Sequence, residues 1–197
     1  MKAKENPFRS SAVAELRYRI SAAELARLVD TLRAQQWRAC LTGPEGSGKS
    51  ALLEALEAPI SEAGRKVHWI RLNANSSPDE RREARKRLAR LRADEVCLID
   101  GGEVFGRLSW LRIIRSLKCT NAGIVATVHR PCGLPALLET EASLDLALSL
   151  SRDLAGPHWN EQLEAATTDS FRASGGNIRE VFRAGYWQCA RSSEQPA

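Results

Sequence analysis

The amino-acid sequence predicts an α/β fold in three layers, in which helices cover both faces of a parallel sheet and a small helical lid follows at the C-terminal end. Two observations support this prediction. Short apolar runs of strand length alternate along the chain with stretches of helical periodicity. From Gly156 onward these runs stop, and two helical stretches follow one another.

The predicted strands are short and mainly apolar runs, which are typical of strands buried on both faces of a parallel sheet. They span residues 37–42, 67–72, 96–100, 123–128 and 144–150. The last run differs, because Leu144, Leu146 and Leu148 alternate with more polar residues. This alternation predicts a half-exposed strand at the edge of the sheet.

The predicted helices occupy residues 21–36, 51–58, 159–173 and 178–191. In the first, Ser21 and Glu24 have the spacing of a capping box, and the leucines that follow lie on one helical face. Glycines end the third helix, and Asn177 can cap the fourth. We therefore expect an N-terminal segment with its helix over 1–36, an α/β core over 37–152, and a helical lid with a frayed tail over 153–197.

Composition limits the class of protein to which the chain can belong. The 197 residues have 43% hydrophobic and 27% charged side chains, as ordinary globular domains do. No apolar run approaches the roughly 18 residues that a transmembrane helix needs. The first ten residues lack the apolar stretch of a secretory signal. These features predict a cytoplasmic protein.

The five cysteines are an odd number without C-x-x-C spacing, which argues against a disulfide framework and against a zinc site. We expect reduced thiols. Cys40 and Cys97 lie inside apolar runs, so they are predicted to fill core volume.

The most specific motif is a phosphate-binding loop between the first predicted strand and the helix after it. Its residues fit G-x-x-x-x-G-K-[ST] and, with the first residue of the helix, are Gly43, Pro44, Glu45, Gly46, Ser47, Gly48, Lys49, Ser50 and Ala51. Glycines let backbone N–H groups converge on phosphate oxygens, and the helix start favours an anion. Lys49 is expected to bind the β- and γ-phosphates of ATP, and Ser50 to coordinate Mg²⁺. The alternative is a glycine-rich turn that fits the motif by chance.

The strand at 96–100 ends in Asp100, which is placed as a Walker B aspartate that orders the Mg²⁺ shell. Together with the loop, this strand resembles the P-loop ATPases that have an extra strand between these two, and among them the AAA-type ATPases. The segment from Asn6 to Arg9, with the sequence Asn-Pro-Phe-Arg, is similar to the start of small AAA-type ATPases.

The resemblance implies roles for further residues. Glu103 is the candidate base, although two glycines separate it from Asp100; the alternative is a solvated carboxylate. Thr127 or His129 would sense the γ-phosphate, unless the threonine is only packed locally. Arg179 resembles the sensor-2 arginine of AAA-type lids, or else lies on the surface of a glycine-capped helix. No motif assigns an arginine finger, for which three arginines qualify: Arg112, Arg115 and Arg130.

Residues 81–92 form a predicted helix with seven arginines or lysines in twelve residues. Such a helix can follow the phosphates of a nucleic acid or bind an acidic protein, while a solvated face is the alternative. The absence of interleaved aromatic residues weighs against base stacking. The net charge of +5 agrees with either interpretation.

Taken together, the motifs predict a small ATPase that uses Mg²⁺ and ATP to drive or gate interaction with a macromolecular partner, with homo-oligomers as one arrangement. No N-K-x-D segment indicates guanine selection. A switch or adaptor that binds ATP with little hydrolysis is the alternative, favoured by the displaced Glu103. A small-molecule kinase ranks third, because residues 130–139 contain a single arginine where such enzymes have an arginine-bearing lid.

Overall fold

The computed structural model describes residues 3–191, so the predicted frayed tail at 194–197 lies outside the described residues. Within them, the strands are β1 (Arg38–Thr42), β2 (Lys66–Arg71), β3 (Glu95–Asp100), β4 (Gly123–Thr127) and β5 (Ala136–Glu139). The helices are α1 (Ser10–Ala14), α2 (Ala22–Ala34), α3 (Lys49–Ala55), α4 (Glu57–Glu62), α5 (Pro78–Ala89), α6 (Arg107–Thr120), α7 (Leu144–Ala155), α8 (Glu161–Ala173) and α9 (Ile178–Arg191).

The strands form one parallel sheet in the order β2-β3-β4-β1-β5. Alternate residues of β3 face opposite layers: Val96 and Leu98 pack with α2, α3 and α4, whereas Cys97 and Ile99 pack with α5 and α6. Both faces of the sheet are thus covered by helices, and the prediction of a three-layer α/β fold with a parallel sheet is confirmed. Cys40 and Cys97 are both buried, as predicted.

The chain divides into two compact units. Among the described residues, the sheet unit comprises 18–43 and 49–140, and the helical unit comprises 3–17, 44–48 and 141–191. The core of the helical unit joins Phe8 to residues of α7, α8 and α9. The boundaries expected from the sequence, at 36/37 and 152/153, stay predictions.

One predicted strand is wrong. Residues 144–150 belong to helix α7, and the fifth strand is β5, eight residues earlier. The helix begins with Ser143, whose Oγ accepts a hydrogen bond from the N–H of Leu146, and Asp145 favours the first turn. Leu146 and Leu150 also repeat at a spacing of four, so the leucines satisfy a helical period as well as a period of two. Residues 144–155 therefore form a capped helix and not a strand.

The helix predicted at 51–58 is interrupted. Helix α3 ends at Ala55 and α4 begins at Glu57. Pro59 explains the interruption, because its ring would clash with the carbonyl of Ala55 in a continuous helix and it cannot donate to that carbonyl. Leu52, Leu53, Leu56 and Ile60 nevertheless remain fully buried on one side of the sheet.

The other predicted helices are confirmed. The capping box at Ser21 and Glu24 is formed at the start of α2, and a second capping box at Ser77 and Glu80 starts the basic helix α5. Helices α8 and α9 lie where the C-terminal pattern placed them.

In the described part of the chain, no helix combines the length and the apolarity that a membrane span requires.

Candidate functional site

The candidate site starts from the carboxyl ends of three neighbouring strands in the sheet unit. Strand β4 lies between β1 and β3 and pairs with both in parallel. The phosphate-binding loop follows β1, Asp100 ends β3, and Thr127 ends β4. Because parallel strands end at the same edge of a sheet, these three segments meet there, as ligand-binding residues do in open α/β sheets.

One oxygen of the Asp100 carboxylate joins these segments. Its Oδ1 accepts a hydrogen bond from Ser50 Oγ at 2.9 Å and another from Thr127 Oγ1 at 2.9 Å. Thr127 is itself buried, and its Oγ1 accepts from the backbone N–H of Gly101 at 2.9 Å. The structure therefore brings together Ser50 and Asp100, which the sequence proposed as metal ligands, and adds Thr127 to them.

The contact between the N–H of Gly101 and Thr127 requires a backbone conformation at Gly101 that favours glycine. Its φ is +86°, and a Cβ at this position would lie 1.9 Å from the carbonyl oxygen of Leu72 on the neighbouring chain segment. Only glycine fits such a conformation and such an approach. In this backbone conformation a glutamate could not replace Gly101 after Asp100.

The loop has the backbone expected for a phosphate-binding turn. Helix α3 begins at Lys49, so Ser50 and Ala51 lie in its first turn. Lys49 is 8% exposed, and its Nζ donates a hydrogen bond to the carbonyl oxygen of Gly43 at 2.8 Å. Positive φ angles at Gly43, Gly46 and Gly48 turn successive peptide groups. The arrangement suits an anion at the start of α3.

The apex of the loop lies in the helical unit, where Gly46 touches the start of α9. A Cβ on Gly46, whose φ is +75°, would lie 2.1 Å from Oδ1 of Asn177. The same oxygen accepts the N–H of Arg179 at 3.0 Å, which caps α9. Ser47 Oγ donates to the carbonyl of Pro44, while the side chains of Pro44 and Glu45 are exposed.

The sequence predicted Asn177 only as a helix cap and missed its contact with the loop. The signal that could have revealed it is the glycine at position 46, which leaves room for a neighbour. Arg179 lies two residues beyond this contact and is exposed. Within residues 3–191 its side chain has no hydrogen bond or ion pair, so the sensor-2 role stays a prediction.

Glu103 lies apart from the Asp100 cluster. It belongs to a 3-10 turn at Gly102–Val104, which Trp110 fixes by donating from Nε1 to the carbonyl of Gly102 at 3.1 Å. Its Oε1 lies 3.6 Å from Nε2 of His129, and both side chains are about 40% exposed. His129 therefore pairs with Glu103, whereas Thr127 is the residue of β4 that contacts Asp100.

The three arginine-finger candidates are all exposed. Arg112 and Arg115 are exposed on α6, and Arg130 is exposed in the loop after β4. The arginine-finger role stays a prediction for all three.

The donor groups fit a magnesium ion shared with a nucleotide. Mg²⁺ prefers oxygen ligands and is commonly held by one or two carboxylates together with substrate phosphates and water. The hydroxyl of Ser50 and the carboxylate of Asp100 are oxygen donors 2.9 Å apart. In the described part of the chain, no group of three or more His, Cys, Asp or Glu side chains forms an all-protein metal site.

Several solved structures have a similar fold. NtrX from Brucella abortus with ADP is 12% identical over 93% of this chain and 54% of its own, with a TM-score of 0.59. DnaA from Aquifex aeolicus with AMPPCP is 14% identical over 89% of this chain and 68% of its own, with a TM-score of 0.52. The closed state of Hsp104 with ATPγS and casein is 14% identical over 96% of this chain and 42% of its own, with a TM-score of 0.56.

No protein-family model matches the sequence, and no curated protein matches it. The chain spans between 42% and 68% of the length of these three structures, and the identities are low. The likeness therefore concerns the fold. These neighbours are AAA-type P-loop ATPases, and the strand order with β4 between β1 and β3 is the order that the resemblance implied. The chain has the fold of the AAA-type P-loop ATPases.

Proposed function

We propose that the chain binds Mg²⁺ and ATP at the loop from Gly43 to Ser50 and hydrolyses the ATP to drive or gate interaction with a macromolecular partner. The observation that carries this proposal is the shared oxygen of Asp100, which joins the Ser50 hydroxyl to that of Thr127 at the ends of three strands. A glycine-rich turn of purely structural origin would not need a carboxylate at this position.

The individual roles follow from chemistry and position. Backbone N–H groups of the loop and the start of α3 bind phosphate oxygens, and Lys49 supplies a cation to the β- and γ-phosphates. Ser50 and Asp100 would hold Mg²⁺, which neutralises charge on the transferred phosphoryl group. Thr127, whose hydroxyl contacts Asp100, would orient that carboxylate, and it is proposed as the γ-phosphate sensor.

The start of α9 supports a role for the helical unit. Asn177 contacts Gly46 at the loop apex and also caps the helix that contains Arg179. A bound phosphate that changes the conformation of the loop would therefore change the contact between Gly46 and Asn177, which caps α9. Arg179, which is exposed two residues later, is proposed as the cation that the lid offers to the nucleotide.

A switch or adaptor that binds ATP with little hydrolysis is the second candidate. The observation that favours it is the position of Glu103, which is separated from Asp100 by two glycines and paired with His129 at 3.6 Å. A general base must reach the attacking water to within hydrogen-bonding distance, directly or through one water. Glu103 meets this requirement only if the 3-10 turn brings it toward the nucleotide.

Steady-state phosphate release from Mg-ATP tests the two candidates. The measurement covers a wide range of protein concentrations, with Mg-GTP in parallel and the Lys49→Ala variant as control. Turnover that rises more than linearly with protein concentration supports an assembling ATPase. ATP affinity is measured in parallel with a fluorescent analogue. Binding of the analogue without turnover favours the switch, and absence of its binding contradicts both candidates.

The Glu103→Gln variant tests the base. It is expected to keep ATP affinity and to reduce turnover by about 10²–10⁴-fold, which is the range that general base catalysis contributes. Glu62→Gln is the matched control, because it makes the same change at an exposed glutamate at the end of α4. Unchanged turnover in Glu103→Gln would place the base elsewhere.

A further inference from the structure

The positive charge of the chain is concentrated on two neighbouring helices of the sheet unit. Residues 78–92, which contain α5, and residues 107–120, which form α6, hold eleven arginines and lysines and three carboxylates. Their excess of eight positive charges is larger than the net charge of +5 for the whole chain. The remainder of the chain therefore has a small net negative charge, and the two helices form the cationic surface.

The two helices lie side by side on one face of the sheet. Both bury apolar residues in the same core cluster, and Arg85 of α5 donates to Ser109 Oγ of α6 at 3.3 Å. The charges of the two elements thus form one continuous basic surface, which we call the α5–α6 face. Six of its exposed cations make no ion pair with any carboxylate in residues 3–191: Arg87, Arg90, Arg107, Arg112, Arg115 and Lys118.

The distribution of acids separates this face from an ordinary solvated helix. Helix α6 has no acidic residue at all, so its cations cannot be balanced along the helix. Like charges at this density repel one another, and counterions gather near them. Duplex nucleic acid carries its own condensed cations, and a protein that neutralises its phosphates with lysine and arginine gains affinity from the release of those cations. We propose that the α5–α6 face binds the phosphate backbone of duplex nucleic acid without regard to sequence.

The side chains on this face favour a duplex over a single strand. Binding to single strands relies on aromatic residues on which bases stack. Among the exposed residues of α5 and α6 there is no aromatic side chain, and Trp110 is buried. Phosphate contacts require only cations and hydrogen-bond donors, which the face supplies in number.

The same side chains do not favour a membrane surface. Leu108 and Leu111 are 73% and 64% exposed, and they are the large apolar side chains that α6 presents to solvent. An interfacial helix needs a whole apolar face for insertion. The apolar face of α6, with Trp110, Ile113 and Leu117, is already buried in the core. Two leucines are too few to replace it.

The test is fluorescence anisotropy of the full chain with a labelled 30-base-pair duplex DNA of mixed sequence, titrated at several salt concentrations. Replacing Arg87, Arg90 and Lys118 together by glutamine removes three unpaired cations. This variant is expected to bind about 10–100-fold more weakly, with a salt slope less negative by about 2–3. The matched control replaces three exposed arginines that belong to neither α5 nor α6, Arg17, Arg27 and Arg172, by glutamine and should bind as the unmodified chain does.

Each remaining outcome contradicts the proposal. These outcomes are no binding of the duplex at 50 mM salt, equal losses in both triple variants, or tighter binding of a single strand of the same length. Binding to vesicles that contain phosphatidylserine without binding to the duplex would identify a membrane surface instead. ATP affinity, measured in parallel with a fluorescent analogue, should be equal in all three proteins, because neither set of substitutions includes a residue of the loop.

Discussion

Lys49 shows how a single side chain is prepared for phosphate binding. Lys49 is almost fully buried, and its ammonium group donates a hydrogen bond to the carbonyl of Gly43 within the loop that contains it. A buried ammonium without partners would be costly, so the loop carbonyl stabilises it in place. The residue is thus held near the start of α3, where an anion is favoured.

We expect Lys49→Ala to weaken binding of a fluorescent ATP analogue by about 10–100-fold, because hydrogen bonds to charged groups contribute about 1.5–3 kcal/mol. Lys66→Ala is the matched control. Lys66 is exposed and paired with Asp94 at 2.8 Å, so its loss removes the same charge from the same unit at a distance from the loop. Unchanged affinity in Lys49→Ala would refute the assignment of the phosphate-binding loop.

The neighbouring thiols Cys40 and Cys132 provide a test that depends on pH. A hydrogen bond with Cys40 lowers the pKa of Cys132 from 9.0 to about 7, and the same contact together with burial raises the pKa of Cys40. Alkylation of Cys132 by iodoacetamide follows the thiolate fraction. Its rate should therefore reach half its maximum near pH 7 and fall below that pH.

In the Cys40→Ala variant this midpoint is expected to rise toward the ordinary range for a thiol, since the hydrogen-bonding partner is gone. Peptide mapping by mass spectrometry gives the rate for each cysteine. Cys189, whose pKa burial raises, serves as an internal control that the substitution should not affect. An unchanged midpoint for Cys132 would show that Cys40 does not stabilise the thiolate.

Among single residues, the sequence alone predicted those that a motif fixes. Lys49, Ser50 and Asp100 were assigned because motif and strand pattern place them, and the structure brings Ser50 and Asp100 into contact. The choice between Thr127 and His129 could not be made, because it depends on which side chain points to the neighbouring strand. The contact of Asn177 with Gly46 joins residues more than a hundred positions apart, and no local pattern encodes it.

At the scale of elements, Arg38 links the first strand to the end of α6. Arg38 is 7% exposed, and its guanidinium donates to the carbonyls of Leu117 and Ala122 and to Oδ1 of Asn121. Asn121 ends the helix in the left-handed conformation with a φ of +55°. A cation at the C-terminal end of a helix is also favoured by the helix dipole. Arg38 therefore caps α6 from the adjacent strand.

Arg38→Ala should lower the free energy of unfolding by about 2–4 kcal/mol, because hydrogen bonds from a charged donor are lost and buried carbonyls are left unpaired. Urea unfolding followed by circular dichroism measures the change. The exposed Arg27 is the matched control, and Arg27→Ala should stay within about 0.5 kcal/mol of the unmodified chain. Equal effects of the two substitutions would contradict the capping role.

The sequence predicted the last strand at 144–150, where the structure has helix α7, and the reason lies in the spacing of the leucines. Leu144, Leu146, Leu148 and Leu150 satisfy a period of two, but the segment also has Ser143 as a cap and a spacing of four at Leu146 and Leu150. Two periods fit the same residues, and tertiary packing decides between them. The true fifth strand is four residues long and half exposed, so it leaves almost no apolar pattern. Buried strands and capped helices, by contrast, were predicted close to their bounds.

At the scale of the whole chain, the N-terminal segment packs on the last helix of the described structure. Asn6 donates from Nδ2 to the carbonyl of Tyr186 at 2.9 Å, a contact across 180 residues, and its Oδ1 accepts the N–H of Phe8. The ring of Phe8 covers Gly185 so closely that a Cβ there would lie 2.8 Å from it. Glycine at position 185 thus admits the aromatic ring onto α9.

This packing predicts that α9 depends on a residue at the opposite end of the sequence. Phe8→Ala should lower the free energy of unfolding of the helical unit by about 3–5 kcal/mol, the usual cost of removing a buried phenylalanine. Hydrogen exchange of the α9 amides should accelerate, while β3 and β4 serve as internal reference strands.

The control is Arg17→Ala, because Arg17 is exposed. Unchanged exchange in α9 would mean that Phe8 only covers the helix, whereas faster exchange in α9 and the strands alike would mean that it stabilises the entire chain. Acceleration confined to the helical unit is the expected result, because all apolar contacts of Phe8 within its core cluster belong to that unit.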